Sequence, residues 1–205
     1  MARTPRIRVG RTEDKIGVIV AQEYYAKKAK AVVISATVIV LVLSVVLFGV
    51  SFYLMKEYSE CKKLEEEYFL LSSMNVVLDA YSKRISMLVE VNMSANEKKM
   101  KAEKTLTDLL ITIDTLKSTM EKINTGSLRD YVIPPLLTLR DSVEESRNAI
   151  KNMTTVGSID EELMRVNDKI VYLMTIVKNM KEEKAIAVEE IRSHWIYSVF
   201  RPLLP

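Results

Sequence analysis

The chain has 205 residues, of which 30 are Lys or Arg and 27 are Asp or Glu, and its net charge is only +3. This balance excludes a strongly basic nucleic-acid-binding protein. Gly and Pro are scarce at 5 each, and no stretch alternates apolar and polar residues as strands do, so we expect an all-α fold. A single Cys and a single His exclude a zinc site and an intrachain disulfide.

The first two segments of the chain contrast sharply in charge. Segment 1–30 is a basic arm with eight basic and three acidic residues, whereas segment 31–55 has no charged residue. As a helix, the second segment would be about 37 Å long, enough to cross a hydrocarbon layer of ~30 Å with some tilt. We therefore predict a single transmembrane helix over 31–55 that anchors the chain in a lipid bilayer.

Segment 31–55 has two other interpretations, a cleaved signal peptide and the buried helix of a soluble protein. The apolar run is longer than that of a signal peptide, and Phe52, Tyr53 and Leu54 stand where a cleavage site would have small residues. The rest of the chain offers little that could enclose so apolar a helix. Retention as a membrane anchor is the better interpretation.

The flanks of the span indicate its orientation. Lys27, Lys28 and Lys30 precede it closely, while the lysines that follow it are offset by glutamates, so we expect the N-terminus inside and the C-terminal region outside. The membrane is left open between the plasma membrane or an endomembrane and the mitochondrial inner membrane, because an arginine-rich start is also typical of a presequence. The arginines of the arm could contact anionic lipid or serve only as this flank; they are Arg3, Arg6, Arg8 and Arg11.

Segment 56–124 contains neither Gly nor Pro and carries a heptad pattern. Fifteen of the eighteen a and d positions from Leu64 to Ile123 are apolar when Tyr81 and the alanines are counted. The pattern predicts one long outgoing helix, continuous with the membrane span. Its e and g columns contain apolar residues such as Tyr68 and Val77 in place of the Glu/Lys pairs of a two-stranded coiled coil, so we expect more than one neighbouring helix.

A turn over 125–135 is predicted by Gly126 and by the pair Pro134 and Pro135. Return helices over 136–195 follow, with a break at 154–158 and a capping box that runs from Ser158 to Glu161. The outgoing and return arms would each be about 100 Å long. We therefore expect an antiparallel helical hairpin or coiled-coil bundle.

The C-terminal tail, 196–205, is apolar and aromatic but too short to span a membrane. The hairpin geometry predicts that it returns to the membrane interface, and docking into a protein partner is the alternative. The residues expected to anchor it are Trp195, Tyr197, Phe200 and Arg201.

Three kinds of polar residue are candidates for a specific role in the outer region. Cys61 follows the span and could form an interchain disulfide, or carry a palmitoyl group if the topology were reversed. Asn92 and Asn152 each begin a glycosylation sequon, and Asn152 is the better acceptor because it precedes a predicted loop. On the helix seam, Asn92, Lys99 and Lys184 are expected to set register and partner number.

The sequence carries no motif for catalysis or for binding a cofactor, such as a phosphate loop, a nucleophile elbow or an HExxH pair. We expect no enzyme, cofactor, metal, small-molecule substrate or nucleic-acid partner. The predicted function is a single-pass, membrane-anchored scaffold or structural subunit of a larger membrane assembly, either a homo-oligomer or a hetero-complex. The alternatives are a receptor or sensor that signals through its span, and a membrane tether or fusion factor.

Overall fold

The computed structural model describes residues 10–123 and 126–194, with side chains from residue 22 onward. All regular structure in these ranges is helical and no strand occurs within them, which confirms the all-α prediction. The helices are α1 Gly10–Glu90, α2 Ala95–Ile123, α3 Gly126–Tyr131, α4 Ile133–Ile150 and α5 Val156–Ser193. The chain divides into two compact units, Met1–Met55 and Lys56–Pro205.

In the first unit, the described residues from Gly10 onward form the N-terminal part of α1. From Gln22 to Gly49 every residue is exposed, including bulky apolar ones such as Phe48. The most apolar 18-residue window has a mean hydropathy of 3.0, and none of it is buried. This helix is long and apolar enough to cross a membrane.

In the second unit, the chain reverses direction at residues 91–94. Tyr81 of α1 hydrogen-bonds to Thr112 of α2, and Arg84 pairs with Asp108, so residue numbers rise along α1 as they fall along α2. The prediction of one continuous helix over 56–124 is therefore wrong. The two parts, α1 from residue 56 and α2, are antiparallel neighbours.

Side-chain caps explain why the helix breaks without Gly or Pro. Ser94 Oγ accepts a hydrogen bond from the Glu97 N–H and so caps the start of α2. Lys98 Nζ donates to the carbonyl of Val89, one of the last carbonyls of α1 that has no partner within the helix. These two bonds therefore satisfy one backbone group at each of the two helix ends that meet at this turn.

The chain reverses twice more. After α2 the described chain resumes at Gly126 with the short helix α3 and continues into α4, whose first turn contains Pro134 and Pro135. The predicted turn over 125–135 is therefore mostly helical. The chain turns into α5 at residues 151–155, which begin three residues before the predicted break at 154–158, and the N-cap is Thr155 rather than Ser158. The capping box predicted from Ser158 lies inside the helix.

The second unit is a four-helix bundle with up-down-up-down topology. Arg140 of α4 pairs with Asp114 of α2, and Ser146 of α4 hydrogen-bonds to Glu162 of α5. Residues 56–90 of α1 make an arm of about 52 Å, half the length expected for a simple hairpin. One apolar core joins all four long helices and includes Leu71, Leu78, Ile85, Leu106, Leu109, Ile113, Leu136, Leu139, Val143, Leu163, Ile170 and Val177.

The bundle has two distinct ends. The proximal end contains residues 56–67 of α1, the short helix α3 and the last turns of α5. Arg192 of α5 pairs with Glu65 of α1, and Ser127 of α3 hydrogen-bonds to Glu67. The distal end contains the loops 91–94 and 151–155, which lie together because Lys99 Nζ donates to the Lys151 carbonyl.

Candidate functional site

A buried polar cluster lies toward the proximal end, between α1, α3 and α5. Lys184 Nζ lies 2.8 Å from Glu67 Oε2, and these side chains are only 12% and 5% exposed. Ser127 Oγ accepts a hydrogen bond from Lys184 Nζ at 2.9 Å and donates one to Glu67 Oε2 at 3.0 Å. The three groups therefore satisfy one another inside the bundle, as buried charges require.

A second buried charge lies at the distal end. Lys98 is 1% exposed, and its Nζ lies 2.6 Å from Asp160 Oδ1 at the start of α5. This contact is ionic, since its angles fall outside those of a hydrogen bond, whereas the bond from Nζ to the Val89 carbonyl at 2.9 Å is well formed. Lys98 thus holds the end of α1 and the start of α5 from within α2. The heptad pattern missed this residue, because it placed neighbouring Lys99 on the seam.

Between the two ends, polar contacts link α1 to the helices beside it. Ser82 Oγ donates a hydrogen bond of 2.7 Å to Asn167 Oδ1, and Asn167 is buried. Tyr81 shares a hydrogen bond of 2.9 Å with Thr112. A one-turn slip of α1 would break both bonds and leave Asn167 without a partner, so these contacts specify the register of the bundle.

Cys61 lies inside the proximal end, where it is 1% exposed and packs against Val188. Its thiol donates a weak bond of 3.5 Å to Glu65 Oε1. An interchain disulfide would therefore require α1 and α5 to separate at this end. The structure accounts for Cys61 as a small apolar packing residue.

Lys184 is the predicted seam residue that lies in a bundle interface. Asn92 does not, because it lies in the loop 91–94 and is exposed. Its predicted role in setting helix register is wrong, since no helix passes through it. Lys99 is half-buried in α2 and donates a hydrogen bond to the Lys151 carbonyl in the loop 151–155.

Two open grooves lie between α1 and α2. The proximal groove, about 670 Å³, is lined by Phe69, Leu70, Thr119 and Ile123, with Glu66 at its rim. Phe69 is 74% exposed there. The distal groove, about 420 Å³, is lined by Met87, Val91 and Met93 and rimmed by Arg84, Lys101 and Lys104. Contiguous apolar surface, unlike single exposed apolar side chains, is typical of sites where other molecules bind.

Two arginines, Arg140 and Arg192, have a raised pKa. The hydrogen bond from Arg140 to Asp114 raises the pKa of Arg140 above its usual value, with the charge of Asp114 as the next cause. The hydrogen bond from Arg192 to Glu65 raises the pKa of Arg192 in the same direction. Arginine is charged throughout the physiological range in any case, so these pairs fix helices without acting as switches.

Several predicted site residues lie outside the described part of the chain. Arg11 lies in α1, but its side chain is not among those described. The others fall outside the described ranges altogether: Arg3, Arg6, Arg8, Trp195, Tyr197, Phe200 and Arg201. Within residues 22–123 and 126–194, no three Asp, Glu, His or Cys side chains come together as metal ligands.

No protein-family model matches this chain, and neither a curated protein nor a solved structure shows significant similarity to it. The function must therefore be inferred from the residues and their arrangement.

Proposed function

We propose that this chain is a single-pass membrane protein whose four-helix bundle serves as a scaffold or structural subunit of a larger membrane assembly. The observation that carries the proposal is the helix around segment 31–55, which has no charge and whose most apolar window is entirely unburied. An apolar face of this size on a folded chain has to be covered, and a bilayer covers it without any partner. The basic residues before the segment favour the arm inside and the bundle outside.

The proximal groove is the proposed contact surface for the assembly. Its lining includes Phe69, an aromatic residue of the kind that dominates protein interfaces, together with charged residues such as Glu66. The bundle already has a complete core without Phe69, so this side chain makes no large contribution to folding. A neighbouring copy or a helix of another subunit could bury it.

Two measurements test the proposal. Extraction of cell membranes with alkaline carbonate should leave the full chain in the membrane pellet. Light scattering of the detergent-solubilised protein should then give a mass larger than one chain. Release by carbonate would contradict the anchor, and a stable monomer at micromolar concentration would contradict the scaffold.

A matched pair of variants tests the contact surface. Phe69→Asp should reduce the mass of the assembly, because it places a charge in the proximal groove. Tyr131→Asp, at a similarly exposed aromatic residue beside α5, should leave the assembly unchanged. Equal effects of the two substitutions would overturn the assignment of the groove.

A further inference from the structure

The two sequons occupy the two loops at the distal end of the bundle. Asn92 belongs to Asn-Met-Ser in the loop 91–94, and Asn152 belongs to Asn-Met-Thr in the loop 151–155. The bond from Lys99, near the start of α2, to the Lys151 carbonyl places these loops at the same end of the bundle. The chain therefore presents the same three-residue pattern twice on one small surface.

This placement is selective. The structure describes seven asparagines, and Asn92 and Asn152 are the two that lie outside helices. The remaining described asparagines, none of which begins a sequon, are Asn75, Asn96, Asn148, Asn167 and Asn179. The sequon pattern and the loop position thus coincide at both residues and nowhere else in the described ranges.

Both asparagines are also accessible. Each is exposed, and neither side-chain amide has a hydrogen-bond partner among the described residues. The amide nitrogen that a glycosyl transfer uses is therefore free at both sites. A loop, unlike a helix, can present this amide together with the hydroxyl two residues later, which for the first site is Ser94.

We propose that Asn92 and Asn152 are both acceptor sites for N-linked glycans. The proposal rests on the proposed orientation, which exposes the bundle to a compartment with a lipid-linked oligosaccharide phosphate and its transferase. The asparagine Nδ2 bonds to the anomeric carbon of the sugar, and the bond from that carbon to the phosphate oxygen breaks. The lipid phosphate leaves with the electron pair, and the amide loses one proton to a base of the transferase.

The turn chemistry of the loops gives the alternative explanation. Ser94 already caps α2, and asparagine is common where helices end, so the pattern could serve the turns alone. In that case both amides remain unmodified. The cap uses an oxygen lone pair of Ser94 and no atom of the Asn92 side chain, so capping and glycosylation do not exclude each other.

Glycans at these sites would cover the distal end with bulky, hydrated groups. Protein partners would then be directed to the sides of the bundle, where the proximal groove lies. A tether, whose distal end would have to meet a second membrane, becomes a poorer description of the chain.

The test uses the full chain in cultured animal cells, with an added sequon on a Gly/Ser linker after Pro205 as a reporter of orientation. Glycans are counted from the change in electrophoretic mobility on treatment with peptide N-glycosidase, and glycopeptide mass spectrometry assigns them. Asn92→Gln and Asn152→Gln are the test variants. Asn96→Gln and Asn148→Gln are matched controls, because these exposed asparagines lie near the same end but within helices.

The expected result is three glycans on the parent chain and on both controls, two on each test variant and one on the double variant. If the reporter carries a glycan while Asn92 and Asn152 carry none, this inference is wrong and the proposed orientation is retained. If the reporter and both loops are bare, the orientation and the inference are both wrong. Modification of one loop alone overturns the pairing of the two sites.

Discussion

Glu67 of α1 and Lys184 of α5 form an ion pair of 2.8 Å inside the bundle, completed by the hydroxyl of Ser127. Lys184→Ala would leave the carboxylate of Glu67 buried without its partner. We expect a loss of about 3–5 kcal/mol in the free energy of unfolding. Urea unfolding of the detergent-solubilised chain, followed by circular dichroism, measures this loss.

Two controls separate the buried charge from general damage. Arg84→Ala breaks an exposed pair with Asp108 and should cost no more than about 1 kcal/mol. The double variant Glu67→Leu with Lys184→Met removes both charges and should recover most of the stability. If Lys184→Ala lowers the free energy of unfolding no more than Arg84→Ala does, the ion pair between Glu67 and Lys184 is not buried.

Lys98 should be the other sensitive charge. Lys98→Met removes the bond to the Val89 carbonyl and the ionic contact with Asp160, and we expect a loss of about 1–3 kcal/mol. Lys101→Met, which affects only an exposed pair with Glu97, is the control. Backbone amides in the last turn of α1 should exchange their hydrogens faster in the Lys98 variant, and not in the Lys101 variant. Unchanged exchange there would contradict the capping role.

The sequence predicts most of the core because burial follows helical periodicity within each helix. The a positions Leu71, Leu78 and Ile85 of α1 are all buried, and so are Leu106 and Ile113 of α2. A heptad pattern reports which face of a helix is apolar, and it continues across a short break that keeps the phase. For that reason the prediction identifies the buried faces of α1 and α2 correctly, although it is wrong in joining them into a single long helix.

The local signal for the break was present in the sequence. Ser94 and Glu97 have the spacing of a capping box, and the Ser94 Oγ does accept a hydrogen bond from the Glu97 N–H. The burial of Lys98 could not be predicted in this way. It depends on the end of α1 and the start of α5 meeting α2 at the distal end, a tertiary relationship that no pattern within α2 records.

Leu109 and Ile111 of α2 provide a matched test of which face of this helix is buried. Leu109 is fully buried, whereas Ile111 is 62% exposed. Leu109→Ala should cost about 2–5 kcal/mol in the free energy of unfolding, because it leaves a cavity in the core. Ile111→Ala should change it by less than about 0.5 kcal/mol. A larger loss for the Ile111 variant would reverse the assigned orientation of α2.

The thiol of Cys61 should be protected in the native protein. Its reaction with a maleimide requires α1 and α5 to open, and each 1.4 kcal/mol of opening free energy slows labelling by about tenfold. The reference is an exposed thiol introduced as Lys62→Cys in a Cys61→Ala background. We expect Cys61 to react at least about tenfold more slowly than this reference, and equally fast once urea is added. A disulfide-linked dimer on a non-reducing gel would contradict this protection and support the interchain disulfide.

The reversal of the chain at residues 91–94 makes a large difference to one distance. Lys62 and Ile123 line the same groove, so Lys62 and Lys122 lie at the same end of the bundle. Neighbouring helix axes are about 10 Å apart, whereas a continuous helix would separate these residues by about 90 Å. Spin labels at Lys62→Cys and Lys122→Cys, in a Cys61→Ala background, should therefore give a short distance by electron paramagnetic resonance. The pair Lys62 and Glu90, on the same helix, should give about 42 Å in either arrangement. A long distance for the first pair, together with the expected one for the second, would exclude the four-helix bundle.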